Sequence, residues 1–149
     1  MNPETLRDHA LTEDDDLREA VELLLHRADQ RRLWLLFLDG RGRLGDPLMP
    51  MADYPSDPLD PVSIEDLDDA TQAQVLAHRI EMLRELTGNA AVVLVWERVG
   101  DATVGGESDE VRLWARAMRR QASSLGLPLR AQLLLHGGGA RLLRAVDGA

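Results

Sequence analysis

Cysteine is absent from this 149-residue chain, and so is lysine. Without a thiol there is no cysteine nucleophile, no thiolate zinc site and no redox switch. Without lysine there is no Schiff base, no phosphate-loop ammonium and no lysine general base. All seventeen cationic side chains are arginine. Only two isoleucines occur, Ile64 and Ile80, and the richness in Arg, Ala, Leu, Gly and Asp suits a GC-rich genome. No run approaches the roughly 18 apolar residues of a membrane span. The opening "MNPETLRDHALTEDDD" is acidic where a secretory leader would be basic and then apolar, so the expected location is the cytoplasm, with no membrane partner.

With 44% hydrophobic and 29% charged residues, the composition is that of an ordinary globular protein. The length suits a single domain, 1–149, burying about 68–70% of its unfolded surface without help from a disulfide or structural metal. A net charge of −9 makes DNA, RNA or an anionic membrane a poor partner unless the arginines cluster in the fold. The pair Arg31–Arg32 and the helical set Arg112, Arg116, Arg119 and Arg120 are the candidates for a patch; a solvated helix face is the plain reading, and no nucleic-acid partner is expected.

Residues 1–11 read as a flexible N-terminal arm. Thr12 with Asp15 resembles a capping box, and Leu17, Ala20, Val21, Leu24, Leu25 and Ala28 follow the helical repeat, predicting a first helix of about 17 residues. "LWLLFLD", 33–39, is apolar at odd and even positions and so predicts a central strand covered on both faces. "DGRGR" supplies a hairpin, and "LGDPLMPM", 44–51, returns as an edge strand because Pro47 and Pro50 cannot donate to a ladder. Residues 52–62 carry three prolines and predict an irregular surface crossing. Asp53, Asp57 and Asp60 there lack the spacing and closing glutamate of a calcium loop.

Ser63 with Asp66 opens a second predicted helix that runs to Thr87, where Gly88 and Asn89 stop it. "AAVVLVWE" is a second central strand. Ser108 caps a third helix whose buried stripe is Val111, Trp114, Ala115, Met118 and Ala122, and "LRAQLLLH" is a third strand. Strand 91–97, helix 109–125 and strand 129–136 form a βαβ unit with parallel strands. "GGGARLLRAV" reads as a turn and a final edge strand. The expected fold is α/β: a mixed sheet of four or five strands with helices on both faces and one βαβ unit over 91–136.

The loop "RVGDATVGGES" holds Gly100 and Gly105 at phosphate-loop spacing, but Gly106 and Glu107 stand where Lys and Ser/Thr belong. Asp101, Glu107, Asp109 and Glu110 would repel a phosphate there. "HGGG", His136 to Gly139, matches an oxyanion-hole string, yet only ten residues follow Gly139 and none of the five serines sits in a nucleophile elbow. A glycine turn is the simpler reading. His9, His26, His78 and His136 are too far apart in sequence to form a local ligand pair, so no metal and no cofactor is expected. Trp34, Trp96 and Trp114 fall on strands and a helix stripe and read as core, with an alternative as a pocket lining.

The layout from about residue 17 to 140 resembles the RadC and JAB metalloprotease-like domain. That family carries His-x-His at the end of its second central strand and Ser-x-x-Asp at the following helix start, together binding zinc. Here those places hold Trp96 and Arg98, then Ser108 and Val111, so the resemblance implies a scaffold whose metal site is dismantled. Separately, "RRLWLLFLDG", "PLMPMADYP" and "VVLVWERVG" are similar to a family of uncharacterised actinobacterial proteins, a match that covers most of the chain and brings no activity with it.

The expected function is a non-enzymatic module that contacts another protein or itself, through the edges at 44–51 and the C-terminal segment and with the acidic Asp/Pro loop favouring basic surfaces. The alternative is a hydrolase or small-ligand binder with a pocket at 98–109. Its candidate residues are Glu97 or Asp109 as base, His136 as acid, and Arg98, Asp101 and Ser108 as ligand contacts. These side chains must lie within reach of one another for that alternative to hold.

Overall fold

A computed structural model describes residues 2, 4–25, 28, 30–62, 70–99 and 109–144. The chain runs α1 (Asp14–Leu25), β1 (Arg32–Leu38), β2 (Leu44–Met51), α2 (Gln72–Thr87), β3 (Ala91–Glu97), α3 (Asp109–Leu125), β4 (Leu129–His136) and β5 (Gly139–Leu142). The five strands form one mixed sheet in the order β2-β1-β3-β4-β5. β1 is antiparallel to both β2 and β3, β3 and β4 are parallel, and β5 returns antiparallel to β4. The α/β fold and the βαβ unit expected over 91–136 are therefore present, with all three of its elements bounded as read from the sequence.

Both faces of the sheet are covered, which is why β1 and β3 have no polar alternation. Leu33, Leu35, Phe37, Val92, Leu94, Trp96 and Leu134 pack under α2 and α3. Leu36, Leu38, Val93, Val95, Leu133 and Leu135 pack under α1, through Leu17, Ala20 and Val21. Each tryptophan N–H finds an acceptor: Trp34 on Glu97 Oε1, Trp96 on Gln132 Oε1 and Trp114 on the Pro55 carbonyl, each at 2.8–2.9 Å. The packing role expected of these rings is the observed one, with Trp34 only partly buried.

Three expectations need correction. The described part of the N-terminal arm is docked, because Leu6 and Leu11 are 3% and 2% exposed against the α1 side of the sheet. The Leu11 N–H donates to the Gly42 carbonyl, and Arg7 pairs with Asp46. Helix α1 begins at Asp14, with the Glu13 N–H bonded to Asp16 Oδ2, so the reciprocal contact sits one residue later than the Thr12–Asp15 pair. Helix α2 begins at Gln72 on its own capping box: Thr71 Oγ1 accepts from the Gln74 N–H, and Gln74 Oε1 accepts from the Thr71 N–H. The Ser63–Asp66 start lies outside the described residues. The stop is as expected, with Gly88 left-handed at φ 71°.

The two edges are β2 and β5. Close packing fixes β2 against the α2 terminus at Gly45, where a Cβ would lie 2.1 Å from Asn89 Oδ1. Asn89 cannot yield freely, since its amide donates to the Asp46 carbonyl and Thr87 Oγ1. Pro47 and Pro50 remove donors from β2, and β5 has four residues, so both edges offer short ladders for strand addition.

Candidate functional site

At the C-terminal end of β3 the chain alternates faces, and this decides the fate of the candidate residues. Glu97 points to the α1 side, opposite Arg32 in the β1–β3 register. Its carboxylate is 1% exposed. Arg32 grips it with Nε on Oε1 at 2.8 Å and Nη2 on Oε2 at 3.0 Å. The Trp34 indole donates to Oε1 at 2.8 Å and the Gln30 N–H to Oε2 at 2.9 Å. Four donors on two oxygens leave Glu97 with little capacity to take a proton from a substrate. Its role here is to tie β1, β3 and the entry to β1 together.

Arg98 points to the other face, toward Tyr54 and α3. Its Nη2 stands 2.8 Å from Glu110 Oε1 in the first turn of α3, an ion pair not aligned as a hydrogen bond. Arg31 is bonded to the same oxygen through Nε at 2.8 Å and also through Nη2. Arg31 further donates to the carbonyls of Tyr54 and Pro55, and its guanidinium stacks 3.7 Å from the Tyr54 ring centroid. Burial pushes the Glu110 carboxyl up, but Arg98 and Arg31 outweigh it and hold it below the usual glutamate range. Tyr54 meets Trp96 and Trp114 edge-on, each at 5.5 Å. Burial raises the Tyr54 phenol against the pull of the Arg98 and Arg31 charges, so it stays neutral. The Tyr54 hydroxyl and Arg98 Nε are buried with no hydrogen-bond partner. Tyr54 also lines a cavity of about 400 Å³ that opens between β2, α2 and Trp114, with Met51, Val75, Leu76 and Arg79 among its other walls.

His136 closes β4, and its Nδ1 accepts the Gly138 N–H at 2.9 Å inside the two-residue turn to β5. "HGGG" is thus the β4–β5 hairpin. Glu97 and Arg98 diverge to opposite faces, and the described side-chain bonds of Glu97 run to Arg32, Trp34 and Gln30 and the ion pair of Arg98 to Glu110. Asp101 and Ser108 lie outside the described residues; Asp109 opens α3, but its side chain does not belong to the described part. Among the described residues, no three His, Asp or Glu side chains are grouped to hold a metal ion.

A different feature gathers on α3 and the β5 edge. Between Val111 and Arg144 there are seven arginines and no aspartate or glutamate. The other ten arginines share the rest of the chain with all 26 acidic residues. Arg112, Arg116, Arg119 and Arg120 recur at i, i+4, i+7 and i+8: Arg112 and Arg120 are exposed, while Arg116 and Arg119 are half-buried beside the core stripe of Val111, Trp114, Ala115, Met118 and Ala122, with Arg116 Nε buried. Arg141 on β5 is paired with Leu134, whose side chain lies under α3, so Arg141 shares that side of the sheet. Arg119 lines a cavity of about 390 Å³ with Ser123, Leu127, Leu129, Arg130 and Leu143. Arg130 is bonded to the Thr12 carbonyl and Asp14, and Arg144 pairs with Asp14. Arg116, Arg119 and Arg120 make no ion pair with any described residue.

Sequence reasoning named the α3 arginines but not Arg141; the acid-free stretch that holds them was visible in the sequence. Tyr54 was not singled out. As the sole tyrosine, inside a Pro/Asp-rich crossing, it gave only a composition cue. Compared with known proteins, the chain matches no family model and no curated protein. Among the described residues, no helix is long and apolar enough to cross a membrane.

Proposed function

We propose that this chain is a non-enzymatic protein-interaction module, in the cytoplasmic setting expected from its sequence. The observation that carries the reading is the arginine-rich stretch of α3, β4 and β5, which has no acidic residue of its own from Val111 to Arg144, on an otherwise strongly acidic chain. Arginine is favoured at protein interfaces because its planar fork pairs with carboxylates and its stem covers apolar surface. Here the fork-bearing face adjoins a groove floored by Leu127, Leu129 and Leu143, which suits an acidic protein segment with apolar side chains. The face offers no exposed aromatic for base stacking, which disfavours single-stranded nucleic acid. The engagement of Glu97 and His136 in internal bonds supports the non-enzymatic part. On the proposed RadC/JAB resemblance, the family's metal positions would correspond to Trp96, Arg98 and Val111, none of which can ligate zinc.

The test is titration of the full chain with a Glu/Leu-rich peptide and, in parallel, with single-stranded DNA of equal charge. Peptide binding that weakens about tenfold or more in the Arg119→Glu/Arg120→Glu double variant supports the reading, tenfold being about 1.4 kcal/mol. Tighter binding of the DNA, or no effect of the variant, overturns it.

A second reading, small-ligand binding, has one specific observation in its favour: the buried, unsatisfied hydroxyl of Tyr54, a residue that lines a cavity of about 400 Å³. A stoichiometric small molecule retained by the purified chain in native mass spectrometry would move this reading to first place.

A further inference from the structure

The arginine face has a counterpart on the same molecule. Residues 4–22, comprising the short 3-10 turn and most of α1, contain eight acidic residues against Arg7 and Arg18. Glu4, Asp8, Glu13, Asp15 and Glu19 are exposed. Arg7 is occupied by Asp46, and Arg18 by Asp15 and Glu22. α1 covers one face of the sheet and α3 the other. The two outer layers therefore carry opposite charge, with the sheet between them. Asp14, bridging to Arg130 and Arg144, marks the seam where the two regions meet along the β4 end.

Resting on the interaction reading above, we infer that the occupant of the α3–β5 arginine face is the acidic α1 face of a second copy of this chain. Apart from the Asp14 seam, the exposed acids of α1 lie across the sheet from Arg119 and Arg120 on α3, so these two groups can meet only between molecules related by a shift along the sheet normal. Such a contact is heterologous: each copy keeps one arginine face and one acidic face free, so association continues head to tail unless a ring closes. The ionic-strength response follows from two ranges. The net charge of −9 repels copies over distances longer than the patch contact. The Debye length is about 10 Å at 0.1 M salt and about 30 Å at 0.01 M, so moderate salt screens the net repulsion while leaving the close face-to-face pairs. At about 1 M salt, with a Debye length near 3 Å, those pairs are screened too. Self-association therefore peaks at intermediate ionic strength and falls on either side.

Sedimentation velocity of the full chain tests this with two double variants, each checked for a native far-ultraviolet spectrum. Arg119→Glu/Arg120→Glu removes the basic face, and Glu13→Arg/Glu19→Arg removes the acidic one. The wild type is expected to sediment faster with rising concentration at about 0.1 M salt and as a monomer at about 1 M. Each variant alone is expected to weaken association by tenfold or more, about 1.4 kcal/mol. An equimolar mixture of the two should regain association, because it offers one wild-type pair of faces and one charge-swapped pair. A wild type that stays monomeric while binding the acidic peptide would overturn this inference and leave the interaction reading standing. Loss of both would remove both. Association unchanged in either variant would move the contact elsewhere, the exposed Met82 and Leu86 on α2 being the next surface to mutate, and would overturn the head-to-tail arrangement.

Discussion

Replacing Glu97 with alanine should cost the fold about 3–5 kcal/mol, the range for breaking a buried ion pair from one side. The carboxylate is 1% exposed and its partner Arg32 20%, so the guanidinium left behind cannot fully rehydrate in place. The Trp34 indole and the Gln30 N–H lose their acceptor as well. Each buried orphan donor costs about 1–3 kcal/mol, with the lower end appropriate for Gln30 at the surface. Strand register adds to the loss, since Arg32 and Glu97 are the terminal pair of the β1–β3 ladder. In urea, where a chain of this size loses about 1–3 kcal/mol per molar denaturant, the midpoint should fall by 1 M or more. Glu97→Gln keeps the volume and one acceptor, and should cost about half as much. The double variant Arg32→Leu/Glu97→Leu should recover the part of the loss that comes from the stranded guanidinium, while the Trp34 and Gln30 donors stay without their acceptor. An alanine variant within about 0.5 kcal/mol of wild type would refute this reasoning. It would mean that the carboxylate is not held by these bonds and is open to chemistry.

Other consequences can be checked with the same unfolding assay. Gly45→Ala should destabilise by about 1–3 kcal/mol, because its Cβ would meet Asn89 Oδ1 at 2.1 Å, and a companion Asn89→Ala should relieve the clash without restoring the lost amide bonds. Thr71→Ala should cost about 1 kcal/mol by opening the capping box of α2, with Thr71→Ser close to neutral. Glu110 has a folded-state pKa lowered by the Arg98 and Arg31 guanidiniums against the effect of burial, so its contribution is full above the unfolded value and lost as pH falls through the folded one. Wild-type stability should therefore drop below about pH 4.3, the ordinary glutamate value, and Glu110→Gln should show a shallower acid limb.

The central strands were legible because burial on both faces suppresses polar alternation, as in "LWLLFLD" and "VVLVW". Prolines marked β2 as an edge, and Gly88 marked the end of α2, since each constrains the backbone locally. Helix starts were less legible: Ser63, Thr71, Thr12 and Glu13 all precede plausible turns, and tertiary packing chooses among them. The N-terminal segment looked loose because Leu6 and Leu11 follow no short period; what buries them is a docking site made by residues far along the chain. At the strand end, the sequence places Glu97 and Arg98 side by side, but the pleat sends them to opposite layers. Their partners, Arg32 and Trp34 for one and Arg31, Tyr54 and Glu110 for the other, come from segments that only the folded register brings together. The arginine face needed both: the helical spacing was visible, whereas its continuation onto β5 depended on Arg141 pairing with Leu134.

Hydrogen exchange with and without a saturating Glu/Leu-rich peptide tests the interaction claim most directly, because it reports where the partner sits. Slowed exchange is expected along residues 111–125 and 139–144, and it should vanish in the Arg119→Glu/Arg120→Glu variant. Protection centred instead on the cavity beside Tyr54 and Arg79, or no protection anywhere, would contradict the assignment of α3 and β5 as the binding face.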